Sequence, residues 1–357
     1  MSTETNRDPR TGNFHAYSPI GLRHVIRMTD SRGILEHANG TTPRYSHGYC
    51  TDDNARLLIV TARDEGSTAG SEALAQIAMR FILDAQLPDG TILNRMSFAR
   101  IWTDSPSTDD CWGRAMWAYG TAAGQSTNAL LRDRGLAAFE ISAKQESRWL
   151  RSNCFAALGA AEILKTHPHH QTARRVLDNA AQRIPDHSFD PPAVQNSASL
   201  PKWSWPERKL TYANAIVPEV LIASGQHLNN REHLVRGLHL LDWLVQGESL
   251  DGHLSVTPTG GRKHGDVSPA FDQQPIEVAA LADALWRAAA VTKDPRWLKD
   301  FSMCVNWFHG DNDKGISMID HESHGGFDGL THEGVNLNQG AESTLAMIAT
   351  LQSRRLS

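Results

Sequence analysis

Hydrophobic positions along this chain recur at helical spacing rather than in strand-like alternation, and the helical segments are of two kinds. One kind is small and apolar almost all round, as expected of helices covered on most sides. Such segments begin near Thr51 (TDDNARLLIVTA), Thr108 (TDDCWGRAMWAYG), Arg148 (RWLRSNCFAALGAAEIL), Thr211 (TYANAIVPEVLIA), Asp272 (DQQPIEVAALADALWRAA) and Asn338 (NQGAESTLAMIATL). Between them lie amphipathic segments with a charged face, starting near Ser71, Asn128, Thr172, Arg231 and Pro295, and the stretch Ile20 to Met28 supplies a sixth. The apolar segments start roughly 40 to 65 residues apart, the scale of an internal repeat. Six alternating pairs predict an all-α (α/α)6 toroid of six inner and six outer helices. It spans residues 16–357 as a single domain, after a flexible N-terminus over residues 1–15. An open solenoid of stacked helix pairs is the alternative.

The joints are also repetitive. LPDGTIL at Leu87, LDGHLSV at Leu250 and GGFDGL at Gly325 each set Asp-Gly among apolar residues, and two of them are expected to form short β-hairpin turns. The longest irregular piece runs from Asp186 to Leu210 and holds Pro191, Pro192, Pro201 and Pro206.

Composition narrows the classes. The chain has 357 residues, 40% hydrophobic and 21% charged, within the globular range. A net charge of -5 with no Lys/Arg block argues against a nucleic-acid partner. Neither a signal peptide nor a run of about 18 apolar residues is present, so no membrane partner and a cytoplasmic location are expected. Cys50, Cys111, Cys154 and Cys304 are widely spaced, which predicts reduced thiols rather than a disulfide framework or zinc site.

The chemistry-bearing pattern is positional. Acids and amides stand at the start of nearly every apolar segment: Asp52, Asp53 and Asn54; Asp109 and Asp110; Asn214; Asp272, Gln273, Gln274 and Glu277; Asn338, Gln339 and Glu342. Helix capping accounts for one such residue per site. It does not account for a second carboxylate beside the first, nor for Glu277 and Glu342 inside apolar helices, which need a partner or a cavity. In a ring of one hand these groups converge on one mouth, where paired carboxylates suit acid/base chemistry. Trp205, beside Pro206 and Glu207 in the irregular segment, is expected to stack on a ligand ring, and His47 to stand on the rim. The segment DNDKGISMIDHE from Asp311 lacks the glycine an EF-hand needs at its sixth position. No metal or cofactor is expected.

The motifs HGYCTDDNARLL, DDCWGRAMWAYG, WSWPERKLTYANA, FDQQPIEVAALADA and GGFDGL…GVNLNQGAESTLAMI together resemble a bacterial (α/α)6-toroid family. Its members stand alone or form the C-terminal regions of glycosyltransferase-like proteins; more distantly, the arrangement is similar to toroidal glycoside hydrolases and sugar 2-epimerases. The resemblance implies a sugar-binding mouth and a functional link to a glycosyltransferase. Relatives tend to carry an acid in the TYANA segment, where this chain has Ala213, so no catalytic role is assigned there.

Together these readings predict an inverting glycoside hydrolase acting on a manno- or gluco-configured oligosaccharide. Glu207 or Glu277 is the expected general acid and Asp53 or Asp110 the expected base, with carboxyls about 6.5 to 9.5 Å apart. His47, Asp52, Asp109, Trp205, Tyr212, Asn214, Asp272, Gln273, Gln274, Asn338 and Glu342 are the expected substrate contacts. Two alternatives stand beside this. A phosphorylase or epimerase would use Arg56 and Arg114, or His47; a non-catalytic carbohydrate-binding partner of a glycosyltransferase would need none of the acids individually.

Overall fold

The computed structural model describes residues 21–64, 68–186 and 203–352. The expected flexible N-terminus, residues 1–15, and the part of the Pro-rich segment between 187 and 202 lie outside the described residues.

Among the described residues the chain forms twelve α-helices. They are α1 Arg23–Met28, α2 Thr51–Ala62, α3 Ser71–Ala85, α4 Asp110–Gln125, α5 Ala129–Ser142 and α6 Leu150–Thr166 in the first half. The second half holds α7 Gln171–Arg183, α8 Ile216–Leu228, α9 Arg231–Gly247, α10 Pro275–Thr292, α11 Arg296–Phe308 and α12 Ala341–Gln352. Patterning divides them. α4 buries every residue from Cys111 to Ala123, and α6 every residue from Arg151 to Leu164. α7 buries only Ala173, Leu177, Ala180 and Ala181, one stripe at helical spacing.

The wholly apolar helices pack side by side in the order α2, α4, α6, α8, α10, α12, and α12 packs back on α2. That last contact closes the ring and excludes the open solenoid. α3, α5, α7, α9, α11 and α1 cover α2, α4, α6, α8, α10 and α12 from outside. The result is the (α/α)6 toroid. α4 and α6 approach most closely because glycines face each other: a Cβ on Gly120 would overlap the Gly159 carbonyl, and one on Gly113 the Ser152 carbonyl.

The Asp-Gly joints turn as expected. Asp251 and Gly252, at φ 49° and 93°, fold Ser249–Leu250 antiparallel to His253–Leu254. Gly90, at φ 93°, reverses the chain between Leu87 and Thr91. Helix starts differ from the sequence expectation in one respect. α8 begins at Ile216 rather than near Thr211, because Tyr212 to Ala215 form a turn with Ala213 at φ 46°. Asp272, Gln273 and Asn338 likewise lie in the connections before α10 and α12, not on them, Gln273 bridging to Pro258 and Leu330.

The lumen of the ring is filled. Trp117 stacks on Phe155 with centroids 5.9 Å apart, Arg63 lies over Trp117 at 5.8 Å, and Arg114 over Phe155 at 4.0 Å. Toward the helix C-termini follows a buried ionic layer: Arg63–Asp283 at 3.0 Å, Arg287–Glu219 at 2.9 Å, Arg287–Glu162 at 3.1 Å and Lys165–Glu162 at 2.6 Å. Burial alone would push Glu162 up, but Lys165, Arg287 and Arg63 hold it well below the usual carboxylate range. Burial raises Glu219 instead, against the opposing pull of Arg287.

Candidate functional site

Helix N-termini carry amides without intrahelical partners, and polar side chains normally serve them. On three outer helices, α5, α7 and α9, they do: the side chain of Asn128 accepts from Leu130 N at 2.9 Å, that of His170 from Ala173 N at 3.3 Å, and that of Asn230 from His233 N at 3.0 Å. The inner helices α2, α4, α6, α8 and α10 have no side-chain cap of this kind. Capping therefore does not explain the acids at these starts.

The starts of α2, α4, α10 and α12, with Tyr212 ahead of α8, line one cavity of about 450 Å³. Seven carboxylates face it: Glu36, Asp52, Asp53, Asp110, Asp272, Asp328 and Glu342. Arg56, Arg95, Arg114 and His37 stand among them. Asp53 is the most enclosed, its side chain 3% exposed. Arg56 Nη1 donates to Asp53 Oδ1 at 2.6 Å, and the Cys50 thiol to Oδ2 at 3.1 Å. Burial pushes the Asp53 carboxyl up to about 6, against the Arg56 guanidinium and with help from Glu342. The same guanidinium reaches Glu342 across the α2–α12 seam, so the closing contact of the ring is also part of the mouth.

Asp52 accepts from Asn94 Nδ2 at 2.9 Å and faces Arg114 Nε at 3.4 Å. Asp110 is hydrogen-bonded to the Tyr212 hydroxyl; burial raises its pKa, with Arg114 opposing. Glu36 is paired with Arg95. Ligand atoms of Glu36, Cys50 and Asp53 lie within 4.8 Å of one another, close enough for a metal ion. Arg95 and Arg56 already neutralise the two carboxylates, however, so the donor set does not call for a further cation.

Of the residues expected at the mouth, Asp52, Asp53, Asp110, Tyr212, Asp272, Gln274 and Glu342 line the cavity. The others are engaged elsewhere. His47 Nδ1 lies 3.2 Å from His37 Nδ1, and it is His37 that lines the cavity. Asp109 accepts from Trp149 Nε1 at 2.7 Å. Gln273 donates to Ala270 O at 3.1 Å and to Asp313 Oδ2 at 2.5 Å. Asn214 Oδ1 accepts from Thr211 N at 2.9 Å and Arg151 Nη2 at 3.1 Å, and Asn338 Oδ1 from Gly40 N at 3.1 Å.

Both expected general acids stand apart from the cavity lining. Glu277 accepts from Ala213 N at 2.5 Å and Asn214 N at 3.3 Å, holding the turn before α8. Burial and neighbouring Glu248 push it up to about 8. Glu207 Oε2 takes Arg151 Nη1 at 2.5 Å and Trp205 Nε1 at 3.1 Å. Trp205, expected to meet a ligand, is fully buried and stacked on Trp243 of α9, with centroids 6.1 Å apart.

Glu36, His37, Arg95 and Asp328 were not singled out from the sequence. They sit on connections outside the helical repeat, where no periodicity marks them; only Asp328 falls in a motif that stood out, GGFDGL.

No protein-family model matches the chain, and no curated protein matches it in sequence. Solved structures do match in fold. Cellobiose 2-epimerase from Bacillus thermoamylovorans superposes with a TM-score of 0.66 at 12% identity, over 94% of this chain and 96% of that one. A D-mannose isomerase gives 0.64 at 11% identity over 95% and 97%. A GH76 α-mannanase from Bacteroides thetaiotaomicron gives 0.54 at 12% identity over 86% and 85%. At such identities the likeness is one of fold: the chain shares the toroid found in enzymes that act on sugars.

Proposed function

We propose that the chain is a carbohydrate-active enzyme, and that it hydrolyses a manno- or gluco-configured glycosidic bond with inversion. The observation that carries this reading is the convergence of uncapped inner-helix acids on one cavity, with Asp53 held near a pKa of 6. In this mechanism Asp53, expected from the sequence as a base, takes the acid's part because Glu207 and Glu277 stand outside the cavity lining. Protonated, it gives its proton to the departing glycosidic oxygen. Asp110, oriented by Tyr212, takes a proton from the water that attacks the anomeric carbon from the opposite face. Asp52, Asp272, Gln274 and Glu342 hold sugar hydroxyls.

Epimerisation or isomerisation is the second reading. It is favoured by the end-to-end match in length with cellobiose 2-epimerase and D-mannose isomerase, and His37 at the cavity edge is then the available imidazole base. One experiment separates the two: manno- and gluco-oligosaccharides in D2O, with and without phosphate, followed by NMR. Hydrolysis gives new reducing ends of inverted anomeric form, lost in Asp53→Asn. Epimerisation or isomerisation gives deuterium at the carbon beside the anomeric centre with no new reducing ends. A phosphate requirement redirects the reading to phosphorolysis, and inertness toward the whole panel overturns it.

A further inference from the structure

We propose a second sugar subsite just outside the cavity, on the exposed indole of Trp149, so that the preferred substrate is at least two rings long. This rests on the carbohydrate reading above and deepens it.

Two aromatic side chains stand on the α4–α6–α8 side of the mouth. Tyr212 lines the cavity and is 43% exposed; Trp149, immediately before α6, lies beyond the lining and is 48% exposed. Their polar tips are tied to consecutive residues at the start of α4: the Tyr212 hydroxyl to Asp110, and Trp149 Nε1 to Asp109 Oδ1 at 2.7 Å. Each ring is also backed by an arginine, Arg151 Cζ lying 5.7 Å from the Tyr212 centroid and Arg148 Cζ 4.4 Å from that of Trp149. Both rings are thus held in place before any ligand arrives, which lowers the ordering cost of binding.

The exposure of Trp149 needs a reason. Trp112, Trp205, Trp297 and Trp307 are fully buried, and no other tryptophan is among the exposed large hydrophobics of the described residues. Its indole N–H is already satisfied by Asp109, so what it offers a ligand is an apolar π face, not a hydrogen bond. Sugar rings carry apolar C–H faces that fit such a surface. The anchoring carboxylates are neighbours in sequence, about 3.8 Å apart at their Cα atoms. In the proposed arrangement a ring against Tyr212 inside the cavity has its next unit beside Trp149.

The test is affinity against chain length, by calorimetry on manno- and gluco-oligosaccharides of one to four units, alongside turnover of a single-ring aryl glycoside. In the wild type, affinity should rise at least tenfold once a second or third unit is present. Trp149→Ala should remove that gain while leaving single-ring binding and turnover within twofold, and Trp149→Phe should keep most of it. Equal loss at every length, or no length dependence in the wild type, overturns the subsite while leaving the cavity chemistry standing. A length gain lost in Trp149→Ala, with no turnover of any substrate, upholds the subsite and overturns the enzymatic reading. Failure to bind any sugar overturns both.

Discussion

At Asp53, burial favours the neutral acid while the Arg56 guanidinium and the Cys50 thiol favour the carboxylate, and the balance falls near pH 6. As the proposed proton donor, Asp53 should work below that value and fail as pH rises through it. The expected kcat/KM profile thus has a falling limb with an apparent pKa near 6. Asp53→Asn, which keeps the shape but cannot donate to a leaving group, should cost on the order of 10²–10⁴-fold in kcat. Cys50→Ala removes a donor that stabilises the carboxylate, so the falling limb should move to higher pH; a limb that stays in place means Asp53 is not the titrating acid. The acids at Asp53 and Asp110 were legible in the sequence because a second carboxylate at a helix start exceeds what capping needs. Trp205 and Glu277 were not. An aromatic in a Pro-rich connection looks solvent-facing until Trp243 of an outer helix covers it. A carboxylate one turn into an apolar helix looks cavity-facing until the Ala213 and Asn214 amides are seen to hold it.

Among the elements, the α4–α6 pair is the least tolerant of added volume. Gly120→Ala would drive a Cβ into the Gly159 carbonyl, and overpacking of this kind costs about 1–3 kcal/mol, to be read as a fall in the urea midpoint. Gly247, at the end of α9, has open space where a Cβ would go. Gly247→Ala should be neutral or stabilise by up to about 1 kcal/mol. The existence and order of the helices could be read from sequence because burial on all sides and burial on one stripe leave different patterns, as in α6 and α7. Where each inner helix begins was less legible. Thr211 to Ala215 carry helix-compatible residues, yet the turn there is held by Glu277 and Arg151, both distant in sequence.

On the scale of the whole molecule, the buried ionic layer ties α2, α6, α8 and α10 together at the level below the cavity floor. Arg287→Met leaves Glu162 and Glu219 without their shared cation and should cost on the order of 3–5 kcal/mol in urea unfolding. Carboxylates of this layer, with Glu277 at the turn before α8, contribute to how stability depends on pH. Glu219 and Glu277 have folded pKa values raised above 4.5, Glu277 to about 8. Between those limits the folded state binds more protons than the unfolded one, so their contribution is full below pH 4.5 and is lost as pH rises toward 8. Glu162 is depressed and acts in reverse, its contribution being lost as pH falls below 4.5. His24, His227 and His233, lowered by burial, oppose this trend only up to about pH 6.5. The melting temperature should therefore decline from there toward pH 8, and Glu219→Gln should flatten the decline. A melting temperature that climbs steadily from pH 5 to 8 contradicts this assignment.

The Arg56–Glu342 pair joins side chains 286 residues apart, one on the first inner helix and one on the last. During synthesis the first half of that pair emerges long before its partner exists. Until α12 has left the ribosome and docked on α2, the ring has two raw edges, Asp53 lacks the enclosure that lifts its pKa, and Glu342 is missing from the mouth. A chain stopped before residue 341 should thus be catalytically silent as well as open. The mouth is complete only once the last inner helix has docked on the first.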